Sequence, residues 1–141
     1  MENGEKVISI ISEIREKSNR LIVEGLKKNN IEGLAPSHGA ILVQLYRNDD
    51  LCMKDIAERI GKDKSTITAL VNKLVKLGYI YKIKDSEDSR ITHLKLTGKG
   101  HGIESAFHSI SEDLLTRIYR GFDENEKKQL ISQLNRLSEN I

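Results

Sequence analysis

Apolar residues recur along most of the chain at helical spacing. Over residues 5–28, Val7, Ile8, Ile11, Ile14, Ser18, Leu21, Ile22 and Gly25 fall on one face, with Glu13, Glu16, Lys17 and Arg20 on the other. Asn29 and Asn30 break the pattern. Pro36 suits the first turn of a second helix, where its missing N–H is not needed; Ile41, Leu42, Leu45 and Tyr46 form the apolar side. A short helix is predicted over 53–60, with Ile56, Ala57 and Ile60 inward and Gly61 as a helix-ending residue of positive φ. After Asp63 another helix runs to Leu77 on Ile67, Leu70, Val71, Leu74 and Leu77, and Gly78 stops it.

The period then shortens. Tyr79–Ile83 and Ile91–Leu96 alternate and read as two strands around a charged hairpin tip, residues 84–90. Thr97 restarts a helix expected to run to about Tyr119, carrying Ile103, Phe107, Ile110, Leu114 and Ile118. Gly98, Gly100 and Gly102 weaken its first turn by roughly 1 kcal/mol each relative to Ala. The last helix begins at Asp123, with Glu126 completing a capping box. Leu130, Leu134, Leu137 and Ile141 form an a/d seam too short for an independent coiled coil. The expected fold is mainly α with a small β-hairpin wing following a helix-turn-helix.

Composition narrows the class. The chain has 141 residues, enough for one domain or one two-lobed unit, and its single Cys permits no internal disulfide. That Cys usage fits a cytoplasmic protein. The first residues form no signal peptide, and no apolar run approaches the ~20 residues of a membrane helix. Net charge is only +2, but residues 51–100 hold 11 Lys and Arg against 6 Asp and Glu, while both flanks are slightly acidic. A basic middle implies a polyanion-binding surface; uneven distribution by chance is the other reading.

The candidate chemistry lies in that middle. Helix, Gly61 turn, helix over 53–77 is the pattern in which the second helix enters a DNA major groove. Its non-apolar positions are Lys64, Ser65, Thr66, Thr68, Ala69, Asn72, Lys73 and Lys76, of which Ser65, Ala69, Asn72 and Lys76 form one stripe. Small hydroxyl residues at its start allow deep insertion, where backbone N–H groups and the positive dipole end meet phosphate. Asn72 fits an adenine edge, and Lys73 and Lys76 fit phosphate; Lys54, on the preceding helix, joins the candidate contacts. An ordinary solvated helix face, with Asp63 or Ser65 only a cap, gives the same pattern. On the hairpin, Arg90 suits a narrow minor groove, with Asp88 and its acidic neighbours orienting the guanidinium.

Asp88-Ser89-Arg90 followed by Leu96-Thr97-Gly98-Lys99-Gly100, with Ser65–Leu77 leading into Gly78-Tyr79-Ile80 and Leu34-Ala35-Pro36 upstream, resembles the MarR family of bacterial regulators across essentially the whole chain. The resemblance implies a winged helix-turn-helix at 35–97, a dimerisation helix at 1–34 and dimerisation helices at 98–141. It implies a homodimer, usually a repressor, on a pseudo-palindromic double-stranded DNA operator, released by a small phenolic or other aromatic effector. It puts the DNA-reading helix at 64–77 and the minor-groove arginine at Arg90. An effector pocket would lie between the dimer helices and the DNA-binding lobe, with His38 a candidate contact.

Cys52 stands where such proteins usually carry a Ser or Thr cap. It is a candidate redox trigger, because a helix N-terminus promotes thiolate chemistry, although a small half-buried residue is the simpler reading. His38, His93, His101 and His108 make no metal motif, and no nucleophile or acid–base set stands out, so neither metal, cofactor nor enzyme activity is expected. A winged helix used for protein interaction without DNA contact is the main rival.

Overall fold

Among the described residues, 2–141 of the computed structural model, seven helices and three short strands follow one another. They are α1 (Glu2–Lys28), α2 (Pro36–Arg47), β1 (Leu51–Cys52), α3 (Met53–Ile60), α4 (Lys64–Lys76), β2 (Ile80–Lys84), β3 (Thr92–Leu96), α5 (Gly98–Gly102), α6 (Glu104–Ile118) and α7 (Glu124–Glu139). The architecture is mainly helical with a small antiparallel sheet, as the periodicities predict.

The core gathers the apolar faces of the central elements. Ile41, Leu42 and Leu45 of α2, Ile56 of α3, Ile67, Val71 and Leu74 of α4, and Ile80 and Leu94 of the sheet are almost wholly shielded from solvent. Each such side chain contributes about 1.5–3 kcal/mol through burial. Leu26 and Phe107 add the ends of α1 and α6 to the same cluster. Gly61 joins α3 to α4 in the left-handed region, φ 73°, where a Cβ would be strained. That turn sets α4 across α3 with its polar face outward.

Three departures from the expected elements have local causes. A third strand, β1, pairs Leu51 with Leu94 and Cys52 with His93, giving the sheet order β1-β3-β2. Two residues are too few to show alternation. The helix expected from Thr97 to Tyr119 is broken at Ile103, whose backbone leaves helical geometry (φ −103°, ψ 5°). Apolar spacing continues across that break, so the pattern conceals it. Within β2, Tyr81 and Ile83 lie on the open side of the sheet and are exposed, so alternation marked the strand without marking a second buried face.

The terminal helices leave apolar surface uncovered. α1 packs along α6, where Gly25 lets the Ile110 side chain approach its backbone. Yet Ile8, Ile11 and Ile14 of α1, Leu115 and Ile118 of α6, and Ile131, Leu134 and Leu137 of α7 are exposed, and α7 buries no residue. No helix among the described residues is long and apolar enough to cross a membrane.

Candidate nucleic-acid interface

Helix α4 begins under tight local control. Asp63 Oδ1 accepts the Thr66 backbone N–H at 2.7 Å and the Ser65 hydroxyl at 2.9 Å. The Thr66 N–H, and then the two hydroxyl side chains, hold the Asp63 carboxyl below the usual carboxylate range. The start of α4 therefore offers phosphate fewer free donors than the sequence implies. One N–H is already capped, and a carboxylate sits beside it.

The polar stripe is otherwise where the sequence puts it. Lys64, Ser65, Thr66, Ala69, Asn72, Lys73 and Lys76 are exposed, and Thr68 is half-buried with its hydroxyl donating to the Lys64 carbonyl at 2.8 Å. Thr68 thus spends its donor within the helix. Asn72 accepts a hydrogen bond from Lys82 Nζ, on β2, at 2.6 Å through Oδ1. An adenine edge needs that oxygen as an acceptor, so Lys82 takes one of its two lone pairs and leaves the other, with the amide N–H groups, for a base. Lys82 escaped the sequence reading because it lies on another element, ten residues away.

The wing presents Arg90. Asp88 Oδ1 accepts from the Arg90 backbone N–H at 3.0 Å and from Nε at 3.1 Å, while Oδ2 accepts from Nη2 at 3.1 Å. These bonds keep the Asp88 carboxyl below its usual range. The Arg90 side chain remains 89% exposed. The guanidinium is oriented but not withdrawn, as its expected role with Asp88 requires.

Lys54, Lys64 and Arg90 converge, from α3, α4 and the wing, on one concavity of about 540 Å³. Cys52, Met53, Ala57, Ile67, Ile91 and Thr92 line the rest of it, mostly with apolar surface. Three cations from three elements share this hollow beside the start of α4, an arrangement that suits an anionic partner. Cys52, the one free thiol, belongs to β1 and precedes α3; its backbone N–H donates to Asp55 Oδ2 at 3.2 Å, and hydrogen bonding from Cys52 lowers the Asp55 carboxyl. The Asp55 carboxylate is thus a hydrogen-bonding neighbour of Cys52, and Lys54, Lys64 and Arg90 share the hollow that Cys52 lines.

His38 lies at the start of α2, half-buried, its Nδ1 accepting the Ala35 backbone N–H at 3.0 Å. Burial, followed by the charge of Lys73, holds its pKa below the ordinary histidine value. It caps a helix and does not line the cavity of about 510 Å³ between α2 and α6, which is walled by Val43, Tyr46, Arg47, Glu104, Phe107 and His108. Tyr46 and Phe107 meet there with ring centroids 6.1 Å apart. No three His, Cys, Asp or Glu side chains among the described residues form a metal-holding group.

Gly98-Lys99-Gly100 serves the junction between wing and α5. Thr97 caps α5 by accepting the Gly100 N–H at 3.1 Å, and Lys99 Nζ donates to the Leu77 carbonyl at 2.6 Å while lying over the Tyr79 ring. A lysine at the last carbonyls of α4 complements the negative end of its dipole.

Comparison with known proteins places this geometry. The profile of the MarR family matches residues 32–91. The HTH-type transcriptional regulator SarZ of Staphylococcus aureus (strain USA300) is 31% identical over 107 residues, which cover 73% of this chain and 70% of that protein. The crystal structure of a MarR transcriptional regulator from Methanosarcina mazei Go1 superposes with a TM-score of 0.81 at 24% identity, covering 96% of each chain. The structure of reduced AbfR bound to DNA superposes with a TM-score of 0.82 at 16% identity, covering 99% of this chain and 94% of that one.

Proposed function

The chain belongs to the MarR family of transcriptional regulators, and from that premise we propose that two copies of it grip a pseudo-palindromic duplex, each with α4 in a major groove and Arg90 in the flanking minor groove. The convergence of Lys54, Lys64 and Arg90 on one hollow beside the exposed stripe of α4 carries this reading. Lys54 and Lys64 set register on the phosphates, while Ser65, Ala69 and Asn72 face base edges. AbfR, whose fold is shared, is a DNA-bound relative in shape.

Homodimer formation accounts for the uncovered apolar faces of α1, α6 and α7. In that assembly α1 with its following loop, and the helices after residue 97, are the dimerisation parts, and residues 35–97 are the DNA-binding lobe. Two-fold symmetry then sets half-sites about one helical turn, ~10 bp, apart.

The regulator acts as a repressor released by a small aromatic effector. The hollow between α2 and α6 supports that part. It combines the Phe107 and Tyr46 rings with the cationic Arg47, at a volume within the range for small ligands of roughly 300–1,000 Å³.

Selection of bound sequences from a random duplex pool tests the function. The expected product is an inverted repeat with half-sites about 10 bp apart, lost on adding a small phenolic acid. A pool that stays random after repeated rounds overturns the reading.

A further inference from the structure

The ring of His93 lies between two carboxylates that reach it from different segments. Nδ1 is 3.1 Å from Asp50 Oδ1, and Nε2 is 2.8 Å from Asp85 Oδ1. The side chain is only 26% exposed. A neutral imidazole has one N–H; the other nitrogen would then turn a lone pair toward a carboxylate oxygen. Only the imidazolium can donate to both.

The bonds continue from this ring to the wing tip. Asp85 Oδ2 accepts the backbone N–H groups of Glu87 at 3.1 Å and Asp88 at 2.9 Å. The Asp85 N–H donates to the Ile91 carbonyl, and the Ile91 N–H donates to that of Asp88. Asp88 in turn holds Arg90. An unbroken path therefore runs from β3, through the hairpin turn, to the exposed guanidinium, while Asp50 anchors its origin beside β1.

We propose that His93, as an imidazolium, is a positioning residue for Arg90: it fixes the wing turn against the segment before β1 and makes duplex affinity fall as its proton leaves. This rests on the DNA-binding function proposed above. The charged groups facing the ring are Asp50, from before β1, and Asp85, from the hairpin; Lys95, further along β3, shares Asp50 at 3.5 Å. β1 and β2 set Cys52 and Ile83 across from His93 in register.

The direction with pH follows from these contacts. The hydrogen bond to Asp85 raises the His93 pKa above the ordinary value, with desolvation opposing it and the charges of Asp50 and Asp85 reinforcing it. The restraint is complete below about 6.5, the value for an unfolded histidine, and is lost as pH rises through the higher folded value. Asp85 and Asp88 are held below the usual carboxylate range and stay ionised throughout this window. His38, shifted downward, titrates below it.

The test uses the duplex selected by the wild-type chain and measures its affinity from pH 6 to pH 8.5 for wild type, His93→Gln and Asp50→Asn, with nitrogen-15 histidine NMR on the free wild-type protein. Wild-type affinity should fall roughly 2–5-fold more across the window than that of His93→Gln, the size an exposed ion-pair arm supports. Asp50→Asn, a surface change that leaves the core intact, should flatten the profile in the same direction. NMR should show both ring nitrogens of His93 protonated at pH 6, with a midpoint above that of a free histidine. A His93→Gln profile parallel to wild type, or a His93 midpoint at or below the free value, overturns the proposal. A wild-type chain that selects no duplex contradicts the DNA-binding function instead, and with it the effect on affinity, while the NMR midpoint still shows whether His93 is the doubly donating imidazolium.

Discussion

The Tyr46 hydroxyl donates to the Gly100 carbonyl oxygen at 2.7 Å, tying α2 to α5 across 54 residues of sequence. Gly100 lies so close to the backbone just before β2 that a Cβ there would fall on the Tyr79 carbonyl oxygen. The phenol is half-buried, and that burial, with the charge of Glu104 behind it, pushes its pKa up. Wing, α5 and α2 therefore share one junction.

Replacing Tyr46 with Phe keeps the ring and removes the hydroxyl. Stability to urea should drop by about 1 kcal/mol, the net contribution of such a bond. Gly100→Ala should cost more, on the order of 1–3 kcal/mol, because backbone rather than a flexible side chain must yield. Equal midpoints for Gly100→Ala and wild type would remove the claim that this junction is close-packed.

Arg90→Ala should weaken binding to a selected duplex by about 1–3 kcal/mol if the guanidinium enters the minor groove. Asp88→Asn should weaken it less, since the guanidinium is kept and only its aim is relaxed. Fluorescence anisotropy measures both. A larger loss for Asp88→Asn than for Arg90→Ala would show that Asp88 serves the fold of the turn more than it serves Arg90.

How much of this was legible in the sequence depended on distance along the chain. Asp88 and Arg90 are two residues apart, so their pairing could be read directly. Gly61 and Asp63 punctuate the chain chemically, and α3 and α4 begin and end within a residue of their expected bounds. His93 and Asp50 are 43 residues apart and meet only because β1 pairs with β3. Nothing in a two-residue strand announces itself. His38 was legible as a polar group near an expected pocket, but its neighbour Ala35 claims its ring nitrogen, a local competition that spacing does not express.

Asp63→Asn tests the crowded start of α4. The variant keeps an oxygen for the Thr66 N–H and removes a negative charge beside Lys62 and Lys64. Binding to random-sequence duplex should tighten at low salt, and the gain should shrink as salt rises. In the wild-type chain the cap stabilises fully above the unfolded carboxyl value of about 3.9 and loses that effect as pH falls through the lower folded value. Acid melts should show this component in wild type and not in the variant.

Leu134→Glu combined with Leu137→Glu tests the assembly. Both side chains are exposed on α7, which buries nothing within the chain, so the fold should survive by circular dichroism. Sedimentation velocity should show the dimer giving way to a monomer, with a steep loss of affinity for a two-half-site duplex as the halves lose their linkage. A wild-type-sized particle would move the interface away from α7.

The central claim is that α4 and the wing distinguish one duplex sequence from another. Competition between a selected duplex and a shuffled duplex of equal length and base composition, at about 150 mM salt, measures this most directly. The account predicts a preference of roughly a thousandfold or more for the selected sequence. A ratio near one, with both duplexes bound equally well, would contradict it.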